Sequence, residues 1–179
     1  MIVPAKDFAA GTKTLTGRDM LPDETFGFEL LPADDATQSA IKNHVVQLTN
    51  NTDAVARGGK NGRAVDFSFG GATFTKPGTY TFEVHENLWN SQGIPVDGTQ
   101  GMTFDRHTAT IVVTVTDNNG VLAATRTVKN SLNFTNRYTA AGDYAGLVLS
   151  KTLNGRDMVQ GEFSFSITGT DDAAKALLG

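Results

Sequence analysis

Three polar side chains stand where strand alternation asks for hydrophobes, and their types can react with one another. In GTKTLT (11–16) Lys13 shares a face with Leu15, and in TYTFEVHE (79–86) Glu86 closes the face made by Tyr80, Phe82 and Val84. In SLNFTNRY (131–138) Asn136 lies with Leu132, Phe134 and Tyr138, since residues two apart point to the same side of a strand. A lone ammonium or carboxylate on such a face is costly to bury unless it is paired or neutralised. If the three meet, burial lowers the lysine pKa and raises that of the glutamate, favouring a neutral amine beside a neutral acid. The amine is then a nucleophile and the Asn136 side-chain carbonyl its electrophile. Glu86 would polarise that carbonyl and shuttle protons, and ammonia would leave as a Lys13–Asn136 isopeptide bond forms. Taken singly, each residue has a plainer reading. Lys13 would carry its ammonium to water along an apolar stem, and Glu86 would be solvated beside Asn87.

Such chemistry needs no cofactor, and no residue cluster suggests one. His44, His85 and His107 lack metal-ligand spacing and read as solvated surface. Asp117–Gly120 reads as a hairpin turn, because the later ligands of a calcium loop are missing. Ser39-Ala40-Ile41-Lys42 fits the S-x-x-K pattern of penicillin-recognising enzymes without its companion motifs. The N-x-T triplets at Asn50, in Asn50-Asn51-Thr52, Asn51 and Thr52 included, and at Asn133 read as chance matches.

Cysteine is absent, which excludes disulfides and thiolate-metal sites and leaves any covalent cross-link to other chemistry. The formal charge of −4 comes with no basic stripe, which argues against a nucleic-acid partner. No stretch approaches the run of about 18 apolar residues that would insert into a membrane. Residues 1–12 lack the apolar core of a signal peptide, so targeting signals are expected outside this sequence. An apolar fraction of 39% over 179 residues is ordinary for a globular chain, and turn residues between short alternating runs point to an all-β fold.

The elements that must position the three residues follow from the same alternation. Residues 1–10 read as an entering linker, and Gly11 begins a strand that ends at the turn Thr16-Gly17-Arg18-Asp19. Thr25–Leu31 is a second strand ended by Pro32. Residues 34–45 suggest one short helix capped by Asp34 or Asp35, with Ala36, Ala40 and Ile41 on one side. Residues 49–63 are polar and Gly-rich and read as a surface loop before strands at Ala64–Phe69 and Ala72–Phe74. Thr79–Glu86 is the clearest strand, and a long loop around Trp89 spans 87–101. Thr108–Thr116 and Val121–Val128 form a hairpin about Asp117-Asn118-Asn119-Gly120, and Ser131–Tyr138 is the last strand.

The motif KTLTGRDM (13–20) returns as KTLNGRDM (151–158), and the agreement continues from 24–41 into 161–178, a period of about 137 residues. That exceeds the roughly 20–50 residues of solenoid units and fits tandem globular domains. The expected organisation is a complete domain at 11–138, a linker at 139–146 and a truncated second copy at 147–179. In the second copy Leu147, Leu149, Lys151 and Leu153 would alternate onto one face, but Lys151 has no asparagine to meet.

KTLTGRDM, PGTYTFEVHE (77–86), GMTFD (101–105) and FTNRY (134–138) together resemble the pilin isopeptide-linkage domain of Gram-positive surface proteins, over most of residues 11–138. The resemblance implies an immunoglobulin-like β-sandwich of the collagen-adhesin B type. It also implies a bond between Lys13 and Asn136 assisted by Glu86, with Lys151 at the lysine position of the next repeat. Such a domain is a structural module of a pilus shaft or adhesin stalk on the bacterial cell wall, reacting once per chain rather than turning over substrate. Its partners would be neighbouring repeats, other pilus subunits or host surface ligands. A rival reading is a sandwich that binds host glycan or matrix protein through loops 49–63 and 87–101, for which an exposed Trp89 would speak. A subunit joined to others by sortase is a third reading, without a sorting signal or a defensible acceptor lysine in this sequence.

Overall fold

A computed structural model of the chain describes residues 2–3, 8–49, 52–58, 64–89, 96–98, 100–142, 146 and 148–178. The chain divides into two compact units, Met1–Ala141 and Gly142–Gly179. In the first unit the elements run β1 (Ile2–Val3), β2 (Ala10–Thr16), β3 (Thr25–Pro32), α1 (Asp35–Lys42), β4 (Val46–Leu48), β5 (Asp53–Arg57) and β6 (Ala64–Ser68). There follow β7 (Ala72–Phe74), β8 (Gly78–Glu86), β9 (Met102–Thr103), β10 (Ala109–Asn118), β11 (Val121–Lys129) and β12 (Asn133–Tyr138). The second unit holds α2 (Asp172–Leu178).

Alternation decides which face each strand buries. Along β8, Tyr80, Phe82, Val84 and Glu86 are buried, and along β10, Ala109, Ile111, Val113 and Val115 are. These strands belong to a five-stranded sheet ordered β11-β10-β8-β3-β5. A four-stranded sheet ordered β6-β2-β12-β9 contributes Leu15, Phe67 and Phe134 to the same core, and a small sheet, β1-β7-β4, adds Phe74 and Val46. Phe28 of the larger sheet stacks on Phe67 at 3.8 Å and meets Phe134 at 5.2 Å. The architecture is therefore sandwich-like, all-β as the alternation leads one to expect and layered as the family resemblance implies.

One ladder sets the site. Every described strand pair is antiparallel except β2 with β12, which run parallel with Lys13 opposite Phe134 and Asn136 opposite Leu15. Parallel neighbours need a long crossover between them, and here nearly the whole unit is that crossover. Gly11 permits the approach, since a Cβ there would lie 2.1 Å from the Leu132 carbonyl oxygen.

Several expected elements differ. Residues 1–10 are more than a linker: Ile2–Val3 pairs with β7, and Phe8 and Ala9 are fully buried, the Phe8 ring meeting Phe82 edge-on at 5.3 Å. So short a stretch carries no period to read. The loop expected at 49–63 contains β5, whose Ala54 and Ala56 turn inward. Alanines make that alternation faint beside the charged residues around it. The helix is shorter than 34–45, ending at Lys42 and capped by the Asp34 carboxylate on the Thr37 N–H, and residues 46–48, for which no element was expected, form β4. Ala36 is exposed, and the side chain α1 buries is Thr37, whose hydroxyl accepts from the Thr81 N–H at 2.9 Å. In the second unit no strand occurs among the described residues, Leu149 and Lys151 are exposed, and Leu147 lies outside the described residues.

Candidate functional site

Lys13 from β2 and Asn136 from β12 come from adjacent parallel strands of one sheet, and Glu86 comes from the end of β8 in the facing sheet. The Lys13 Nζ donates to Glu86 Oε2 at 2.7 Å, and the Asn136 Nδ2 donates to Glu86 Oε1 at 2.8 Å. One carboxyl group thus spans the amine and the amide. Lys13 and Asn136 are 0% exposed and Glu86 is 5% exposed. The Asn136 Oδ1 accepts from the Asp105 backbone N–H at 2.8 Å, so both ends of the amide are held. The lysine head lies 4.9 Å from the Phe26 ring and 5.8 Å from that of Phe104.

Loss of solvent dominates the electrostatics. It pulls the Lys13 pKa down from its ordinary value to about 8, against the attraction of Glu86. It pushes the Glu86 carboxyl up, against the opposing effects of Lys13 and of the Asn136 hydrogen bond. A buried pair shifted towards each other in this way brings the neutral amine and neutral acid closer in energy to the ion pair. Among the described residues no buried side-chain nitrogen or oxygen lacks a hydrogen-bond partner.

The FctA family, described as "Spy0128-like isopeptide containing domain", matches residues 9–139. The chain belongs to this family. The match spans β2 to β12 and so takes in Lys13, Glu86 and Asn136. No curated protein matches the chain. Among solved structures, it is similar to the major pilin (T-13) of Streptococcus pyogenes, at 21% identity over 76% of this chain and 53% of that one, with a TM-score of 0.46. It is also similar to another major pilin structure from Streptococcus pyogenes, at 20% identity over 73% of this chain and 50% of that one, with a TM-score of 0.43. The chain spans about half the length of these pilins.

Sequence reasoning missed part of this isopeptide-family site. Asp105 lies in the quoted motif GMTFD but outside any alternating run, so parity gave it no role. Its carboxylate accepts from the Thr135 N–H at 2.8 Å and from the His107 N–H at 3.1 Å, and lies 2.7 Å from His107 Nδ1. These hydrogen bonds oppose desolvation and hold its pKa below the usual carboxylate range. His107 is not merely solvated surface: its ring stacks on Phe134 at 4.3 Å. Among the described residues no cluster of histidine and acidic side chains could hold a metal ion, and no helix is long and apolar enough to cross a membrane. Lys151, 4.9 Å from the Phe163 ring, is exposed. Trp89 is 54% exposed and borders a cleft of about 380 Å³ with Phe26, Val55, Val96 and Phe104.

Proposed function

We propose that this domain joins Lys13 to Asn136 by an isopeptide bond and serves as a structural module of a pilus shaft or adhesin stalk on a Gram-positive cell surface. The observation that carries the reading is the Glu86 carboxyl bridging a buried amine and a buried amide, at 2.7 and 2.8 Å. Nζ of the neutral lysine attacks Cγ of Asn136, and the protonated Glu86 gives its proton to Nδ2. The Cγ–Nδ2 bond breaks, ammonia leaves, and Glu86 takes one proton back from Nζ. The carboxyl group ends as it began, so Glu86 is the catalyst and the lysine and asparagine are consumed in one event per chain. Burial supports each step, because it raises the share of neutral amine and keeps competing water away.

The purpose is mechanical. β2 and β12 are the first and last strands of the sandwich that carry the site. A bond between them would pass a pull on the chain through one covalent link and leave the hydrogen-bonded sheets unloaded. Such a module works in series with neighbouring repeats and other pilus subunits, and 147–179 is read as the start of a further repeat. Tandem mass spectrometry of a proteolytic digest tests the bond: a Lys13 peptide joined to an Asn136 peptide is expected, and two separate linear peptides from folded protein would contradict it.

The exposed Trp89 favours a second activity, recognition of a host glycan or matrix protein at its cleft. As the chain's only tryptophan, it would report binding through its own fluorescence. A Trp89→Ala domain that still binds a responsive glycan with unchanged affinity would remove this reading.

A further inference from the structure

We infer that the backbone N–H of Asp105 is the oxyanion donor for the reacting amide of Asn136, and that the Asp105 side chain is the positioning group that holds this donor in place. The inference rests on the Lys13–Asn136 reaction proposed above and deepens it. Attack on Cγ drives negative charge onto Oδ1, and a donor already aimed at that oxygen lowers the barrier without reorganisation. The Asp105 N–H is 2.8 Å from Oδ1. Asp105 sits between β9 and β10, so this N–H is free of any sheet ladder.

The same contact sets which way the amide faces. With Oδ1 taken by the Asp105 N–H, Nδ2 is turned to Glu86 at 2.8 Å, so the nitrogen that must leave faces the group that protonates it. A flipped amide would put its oxygen against the carboxyl group and leave the Asp105 donor facing another donor.

The Asp105 carboxylate fixes the donor to the strand that carries its target. Oδ2 accepts from the N–H of Thr135, the residue before Asn136, at 2.8 Å. Oδ1 holds His107 through its backbone and ring nitrogens, and that ring stacks on Phe134 at 4.3 Å while its Nε2 lies 3.2 Å from the Ser131 carbonyl. On the other side the Phe104 N–H donates to Asp97 at 2.7 Å, anchoring the residue whose ring also faces the lysine head. The donor is thus tied to the segment from Ser131 to Asn136 that carries the amide.

Two measurements on the full chain test this. In the first, intact mass follows ammonia loss after cell-free synthesis of the wild type, Asp105→Ala and Asp105→Asn. Losing an oxyanion donor outright slows a reaction by about 10²–10³, so misplacing one should slow Asp105→Ala by roughly tenfold or more. Asp105→Asn keeps one acceptor oxygen and should recover an intermediate rate, a rescue that a purely structural role does not predict. In the second, NMR of the Lys13→Ala protein, in which the amide cannot react, should show scalar coupling across the hydrogen bond from the Asp105 amide nitrogen to the Asn136 side-chain carbonyl carbon. Adding Asp105→Ala should abolish it. A folded Asp105→Ala protein that cross-links at the wild-type rate overturns the inference and leaves the reaction standing. Absence of the coupling does the same even if the Asp105 variants fail to fold. A wild type that never loses ammonia overturns the reaction itself, and the inference with it.

Discussion

The chain writes nearly the same motif twice, and the two copies share their local contacts while differing in what encloses them. In the first, Arg18 forms a two-pronged bond to Glu24 at 2.9 and 2.7 Å, the Leu21 N–H donates to the same carboxylate, and Lys13 lies 4.9 Å from the Phe26 ring. In the second, Arg156 bonds Glu162, the Val159 N–H donates to that carboxylate, and Lys151 lies 4.9 Å from the Phe163 ring. Gly17 and Gly155 take φ of 92° and 97° in the equivalent turn. The environments then part. Lys13 is fully buried against Glu86, and Lys151 is exposed. A Cβ on Gly17 would lie 2.0 Å from the Tyr138 carbonyl oxygen, whereas among the described residues nothing lies within 4 Å of one on Gly155. The motif therefore builds the lysine's neighbourhood out of nearby residues, but not its buried polar partnership. That requires strands from far along the chain: β8 for the carboxyl group and β12 for the amide.

The largest expected effect comes from removing the lysine of the first copy, with the lysine of the second as its control. Lys13→Ala should abolish the bond and, with a loop of about 120 residues no longer closed, cost about 4–5 kcal/mol by analogy with disulfides. That corresponds to a fall in Tm of roughly 15 °C, read by calorimetry. Lys151→Ala should leave both ammonia loss and Tm unchanged, and a comparable fall there would erase the contrast between the copies.

Next is the catalyst. Glu86→Ala should fold with amine and amide intact but lose proton transfer, slowing ammonia loss by about 10²–10⁴. Ammonia loss at the wild-type rate would move the role to another acid such as Glu83.

The pH profile of the rate sharpens the same point. The reactive state carries one proton shared between amine and acid. Raising pH through the lowered Lys13 pKa of about 8 strips that proton, and lowering pH through the raised Glu86 pKa adds a second. Ammonia loss from a slowly reacting variant such as Asp105→Asn should therefore be bell-shaped in pH. A rate that climbs steadily to the ordinary lysine range would show that Glu86 does not share the proton.

Amine-specific labelling of native protein should modify Lys151 and spare Lys13, with peptide mapping as the readout. The smallest effect is Arg18→Ala. It removes a partly buried ion pair and a guanidinium 4.6 Å from the Tyr138 ring, so it should cost about 1 kcal/mol. Arg156→Ala should cost the first domain nothing.

Parity made the three buried polar residues readable, because a polar side chain among alternating hydrophobes stands out within six to eight letters. Strand order was not readable that way. Nothing in GTKTLT or FTNRY announces that the two run parallel side by side, since that pairing is decided by the packing of everything between them. β5 was hidden because Ala54 and Ala56 are small and its one large hydrophobe, Val55, faces outward. Asp105 meets the amide through a backbone N–H, and a backbone donor leaves no trace in residue type. Phe8 offered only one hydrophobe and no second to give it a period, yet it is fully buried.

The most direct measurement is the intact mass of the denatured, folded-then-purified chain, taken beside its Lys13→Ala and Lys151→Ala variants. The account predicts that the wild type and Lys151→Ala each weigh one ammonia less than their sequences, and that Lys13→Ala weighs what its sequence dictates. A well-folded wild type at its full sequence mass, or an ammonia loss that disappears only with Lys151, would contradict it.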